Sequence, residues 1–146
     1  MKKQWFAISV MLILVACETQ KLHPNWLGGA ITKAGNYEIT QTNQIITVFY
    51  DKEGFVNYFL TDDSNRLIDP INKPSKYHRW MLYWDSQERL WCFSGDIGTS
   101  VWIKNKEETY RHYDLVSRKD LISEMPVEVF EYLPDILKGK WKEYRD

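Results

Sequence analysis

The chain has 146 residues, 19 of them basic and 20 acidic, for a formal charge of −1, and 44% of its residues are hydrophobic. That length suits one domain with a modest core, and the near-neutral charge offers no electrostatic footprint for nucleic acid. Two cysteines, Cys17 and Cys92, provide no disulfide framework of the kind that staples small secreted domains.

The amino terminus carries Lys2 and Lys3, followed by an apolar run from Trp5 to Val15 interrupted only by Ser9. A charged start and a short apolar stretch form a secretory leader pattern, and the run is too short for a membrane span, which needs ~20 residues. Leu14, Val15, Ala16 and Cys17 close the run, and Glu18, Thr19, Gln20 and Lys21 follow at once. This resembles the lipobox of bacterial lipoproteins over residues 1–17. The resemblance implies a signal peptide at 1–16, cleavage before Cys17, a diacylglyceryl group on its thiol and acylation of the freed amine. It also implies a membrane partnership through lipid chains rather than polypeptide, since two or more acyl chains anchor stably. Glu18 stands where inner-membrane lipoproteins commonly carry Asp, which favours the outer membrane. The mature chain would hold 17 basic and 20 acidic residues.

Residues 17–35 contain His23-Pro24, Gly28-Gly29 and Gly35, and lack an apolar period. They read as a lipidated tether reaching at most ~60 Å extended, or ~25 Å as a coil, with Trp26, Leu27 and Ile31 available to cap the core. Residues 36–146 read as the single β-rich domain. Asn36–Thr40, Gln44–Tyr50 and Phe55–Thr61 are β-branched and aromatic runs split by Asp51-Lys52-Glu53-Gly54, which predicts a hairpin or three-stranded meander. After a longer connection with Pro70 and Pro74, four further runs are predicted at Tyr77–Trp84, Arg89–Ser94, Thr99–Lys104 and Thr109–Asp114. Trp80, Leu82 and Trp84 alternate with Met81 and Tyr83, so both faces of that strand are apolar and both are expected to be covered. The Trp84-Asp85 turn leading to Leu90-Trp91 resembles a β-propeller blade, but 130 residues cannot supply the blades a propeller needs. A helical turn at Lys119–Ser123 follows. Pro126 opens a short amphipathic helix with Val127, Phe130 and Leu133 at helical spacing, and Pro134 separates it from a last segment. The expected fold is mainly β, a small antiparallel meander or sandwich with a C-terminal helix.

Candidate chemistry is sparse. Ser94-Gly95-Asp96-Ile97-Gly98-Thr99-Ser100 offers two glycines beside oxygen donors and acceptors, so Asp96 and Gly98, with Trp102 nearby, form the candidate ligand site; the competing reading is a hairpin turn whose Asp binds its own backbone. Trp91 and Trp102 are expected to pair across this hairpin. His112 and Asp114 alternate onto one face, the geometry of an oriented general base, although no nucleophile accompanies them. Asp62-Asp63-Ser64-Asn65 is oxygen-rich but lacks the spacing of a calcium loop. Lys138, Lys140, Lys142 and Arg145 surround Trp141 as a basic face. Cys92, between Trp91 and Phe93, reads as a buried packing thiol. No cofactor or metal motif is present in the sequence.

Function follows only in outline. The leading expectation is a non-catalytic envelope lipoprotein that binds a protein partner, in assembly or as an immunity-type inhibitor. The alternatives are a glycan-binding module using exposed Trp or Tyr, or a hydrolase built on Asp96 or the His112–Asp114 pair.

Overall fold

A computed structural model describes residues 21–63 and 65–145. The expected leader and Cys17 lie outside them. Ten strands form two five-stranded sheets. Sheet A holds β1 (Leu22–Trp26), β3 (Gly35–Ile39), β4 (Gln44–Tyr50), β5 (Val56–Thr61) and β6 (Arg66–Ile68), in the order β1-β3-β4-β5-β6. Sheet B holds β2 (Gly29–Ile31), β7 (Trp80–Trp84), β8 (Leu90–Ser94), β9 (Gly98–Lys104) and β10 (Tyr110–Asp114), in the order β10-β9-β8-β7-β2. Two successive antiparallel meanders, β3 to β6 and β7 to β10, therefore supply most of a sandwich.

Alternation along the strands drives this arrangement. Ile46 and Val48 on β4, Tyr58 and Leu60 on β5, and Trp80, Leu82 and Trp84 on β7 all point between the sheets. Burying each such aliphatic side chain is worth ~1.5–3 kcal/mol. Met81 on β7, Trp91 and Phe93 on β8 and Val101 on β9 point the other way, into a second core. That core is closed by the 3₁₀ helix Lys119–Glu124 and by α1 (Val127–Tyr132) and α2 (Asp135–Trp141), through Leu121, Ile122, Val129, Leu133 and Trp141. The molecule thus has three layers: sheet A, sheet B and a helical cover. Central β7 and β8 are apolar on both faces because both faces are packed.

The N-terminal segment departs from the expected tether. From Leu22 onward it is built into both sheets: β1 runs parallel to β3, and β2 pairs antiparallel with β7. The cause is local. Gly28 and Gly29 take φ values of +107° and +110°, letting the chain step from one sheet to the other in two residues. His23 then stacks on Tyr37 with ring centroids 4.4 Å apart, and Trp26 packs against the same ring edge-on at 5.3 Å. The described chain is thus held to sheet A from its first residue, since the Lys21 carbonyl accepts the Asn36 amide.

Strand registers define two ends of the sandwich. At the first, the Asn36 amide donates to the Lys21 carbonyl at 2.9 Å, and here lie the β4–β5 turn, the 69–79 connection and the β8–β9 turn. The opposite end carries the turns at 40–43, 62–65, 85–88 and 105–108.

Candidate functional site

The loop singled out in the sequence is a turn. Gly98 has φ +88° and pairs with Ser94, and a side chain there would meet nothing within 4 Å; its glycine answers to backbone conformation, not to a crowded neighbour. Asp96 accepts a hydrogen bond from the Ser94 hydroxyl through one oxygen and from the Ser75 amide, at 2.9 Å, through the other. Partial desolvation pushes its pKa up, but these hydrogen bonds and nearby His78 prevail and hold it below the ordinary carboxylate value. Asp96 therefore clips the 69–79 connection to the β8–β9 turn.

Trp102 is not beside it. It lies four residues beyond Gly98 along β9, roughly 13 Å from that glycine, buried between the sheets, with its indole N–H donating to the Tyr58 hydroxyl at 3.2 Å. Asp96, Gly98 and Trp102 do not converge on one surface. Nor do Trp91 and Trp102 pair: Trp91 stands opposite Val101 and Trp102 opposite Leu90, so the two indoles point to opposite faces of sheet B. The loop closes with Ser94 opposite Gly98, and a register one residue from the expected one exchanges the faces.

The remaining candidates are similarly engaged in structure. His112 packs edge-on against Trp102 at 4.9 Å, and burial lowers its pKa although Asp114 opposes the shift. Asp114 accepts the Val116 amide at 2.9 Å and so caps the turn after β10. Asp62 accepts the Asn65 amide, and Asp63 accepts the Asn43 side-chain amide. Among the described residues, no group of three His, Cys, Asp or Glu side chains is placed to hold a metal ion. In the C-terminal basic stretch, Trp141 is buried, and Arg145 donates to the Met125 carbonyl at 2.7 Å while its guanidinium lies over Phe130. Cys92 is buried, and desolvation pushes its pKa up to about 12.

What the sequence reading passed over is the outer face of sheet A. Ile45, Thr47 and Phe49 on β4 lie beside Phe59 and Thr61 on β5, facing away from the sandwich. Phe49 and Phe59 meet edge-to-face with centroids 6.1 Å apart, and the Arg66 guanidinium lies 4.2 Å over the Phe59 ring. Neither apolar core includes these side chains. The signal was present: Ile45–Tyr50 is an almost unbroken apolar run, as expected of a strand with apolar contacts on both faces. At the end of this face, an open recess of about 500 Å³ is lined by Glu38, Asn43, Ile45, Asp62 and Asp63. Another of about 520 Å³ lies between Leu27, Gly28, Tyr83, Arg89, Glu124 and Glu128.

Compared with known protein families, curated proteins and solved structures, the chain matches none.

Proposed function

We propose that this chain is a lipid-anchored envelope protein, held in the outer membrane through Cys17, that acts by binding a partner protein and not by catalysis. The partner docks on the outer face of sheet A. One observation carries the reading: the chain buries the outer face of sheet B under its own helices, yet among the described residues no layer covers an aliphatic and aromatic stripe on sheet A. Aromatic side chains and Arg are the groups most enriched where protein interfaces gain their energy, and Phe49, Phe59 and Arg66 supply both. The non-catalytic part of the reading is supported by what the candidate groups already do. Both Asp96 oxygens are engaged by neighbouring loops, and the Asp114 carboxylate caps a turn. A tryptophan platform for glycans has little support, since Trp80, Trp84, Trp91 and Trp102 are all buried.

The test is site-specific photo-crosslinking in living Gram-negative cells, with the probe replacing Phe59 or Ile45 and a control probe at Lys106. A discrete protein adduct at both sheet A positions, absent from the control and abolished by Phe49→Asp in a chain that still folds, is the expected result. No adduct at either position would overturn the assignment of this face.

A further inference from the structure

Only four peptide steps separate the Cys17 and Lys21 α-carbons, a reach of at most ~14 Å, and the Lys21 carbonyl is fixed by the Asn36 amide at the first end of the sandwich. A sulfur acylated in the bilayer therefore keeps that end close to the headgroups.

The same end is where the chain exposes its apolar side chains. The described residues include eleven exposed large apolar side chains, and more than half lie here, among them Leu22, Tyr50, Phe55, Ile71, Tyr77 and Ile97. Ile71 and Tyr77 are 72% and 79% exposed. They come from four separate segments, and backbone bonds hold three of these as one platform. The Val56 amide donates to the Pro74 carbonyl at 2.6 Å, the Lys76 amide to the Gly54 carbonyl at 2.9 Å, and the Gly95 amide to the Arg79 carbonyl at 2.9 Å. Away from this end, the described residues expose Leu27 and Ile45 on the sheets and Val127 and Ile136 on the helical cover, scattered and not gathered in one platform.

Charge follows the same axis. Lys33, Lys52, Lys73, Lys76 and Arg79 stand at the first end with Asp51, Glu53, Asp69 and Asp96, whereas the turns at the opposite end carry Asp62, Asp63, Asp85, Glu88, Glu107 and Glu108 against Lys106. Asp51 spends its carboxylate on the Phe55 amide and the Asn57 side chain, both at 2.8 Å. The Lys76 ammonium lies 5.1 Å from the Tyr77 ring centroid and 5.9 Å from that of Tyr50. An amphipathic tyrosine beside a lysine that can lift its charge to the headgroups is the chemistry of a membrane interface. Each basic residue near an anionic surface adds ~1 kcal/mol of attraction.

We propose that this end of the sandwich, formed by residues 50–55, 69–79 and 95–97, rests on the phospholipid bilayer that holds the anchor, with Ile71 and Tyr77 among the headgroups. Sheet A's outer face then stands across the membrane plane, open to a partner from the side. The proposal rests on acylation of Cys17.

The experiment uses the full-length chain produced in a Gram-negative host, purified in detergent and reconstituted in vesicles of phosphatidylethanolamine and phosphatidylglycerol. A fluorophore is attached at Ile71→Cys, Tyr77→Cys or Lys106→Cys, the buried Cys92 thiol being shielded, and lipid-borne spin labels serve as quencher. Mass spectrometry of the N-terminal peptide runs alongside. The expected result is an acylated Cys17 with quenching several-fold stronger at 71 and 77 than at 106, reduced by Lys73→Glu with Lys76→Glu. If Cys17 is acylated but the three positions quench alike, the orientation is overturned and the anchor stands. An unmodified Cys17 overturns both.

Discussion

Arg89 and Asp85 form an ion pair buried where sheet B meets the helical layer, with the guanidinium Nε donating to Oδ2 at 2.6 Å. The Trp91 indole donates to the same oxygen at 2.8 Å, while Oδ1 accepts the Gln87 and Arg89 amides. One carboxylate thus orients a turn, a core tryptophan and a buried arginine. Removing one partner of such a pair leaves an uncompensated charge, so Asp85→Ala should cost about 3–5 kcal/mol. Glu124 holds the outer side of Arg89 at 2.5 Å but its side chain is half exposed, so Glu124→Gln should cost about 1 kcal/mol or less. Urea unfolding of the two variants checks the order; equal losses would show that the pair is not the anchor of this junction.

The Asp96 clip predicts a pH dependence. Its pKa is lowered in the folded chain, so its contribution is fully present above the unfolded value of about 3.9 and is lost as pH falls through the lower folded value. Asp96→Asn should therefore reduce stability at neutral pH by about 1 kcal/mol, the worth of one net hydrogen bond. Its deficit should shrink as pH falls below 4. Thermal midpoints of both chains from pH 7 to pH 2 test this, and curves that stay parallel throughout would remove the carboxylate from the account.

Cys92 should be inert while the chain is folded. With its pKa pushed up to about 12, only ~10⁻⁴ of the thiol is ionised at pH 8, and it lies in the core beside Tyr58. A disulfide reagent should modify it only at the rate at which the molecule opens, and fully in denaturant. Rapid stoichiometric labelling of the native chain would contradict the packing around it.

The legible parts of the fold were those with strong local chemistry. Asp51, Asp85 and Asn105 each open a turn in which the side-chain oxygen accepts the amide four residues on, and this held the strand boundaries on either side close to those expected. Glu88 and Glu108, at φ values of +58° and +61°, occupy positions where glycine is the usual mark, yet the flanking Asp and Asn were sufficient signals. Strands β1, β2 and β6 were not legible. They have five residues or fewer, β1 contains Pro24, and β2 begins at Gly29; each is an edge strand, and β2 pairs with β7, far along the chain. The candidate site fared similarly. Which face of sheet A is covered depends on where the helices pack, and they pack on sheet B. Nothing local to Phe49 or Phe59 encodes that choice.

Two glycines separate the two uses of that residue. Gly28 has φ +107°, and a β-carbon there would sit 2.9 Å from the Trp84 carbonyl oxygen, a backbone atom that cannot turn aside. Gly28→Ala should cost about 1–3 kcal/mol, through strain and a forced separation of the β1–β2 step from β7. Gly139 lies within α2, where an added β-carbon meets nothing within 4 Å. There glycine only loosens the helix, so Gly139→Ala should stabilise by about 0.5–1 kcal/mol. Because the two sites lie in different layers, the effects should add in the double variant. Chemical denaturation of the three chains decides it: a neutral Gly28→Ala would mean that the N-terminal segment does not lace the sheets together at this step.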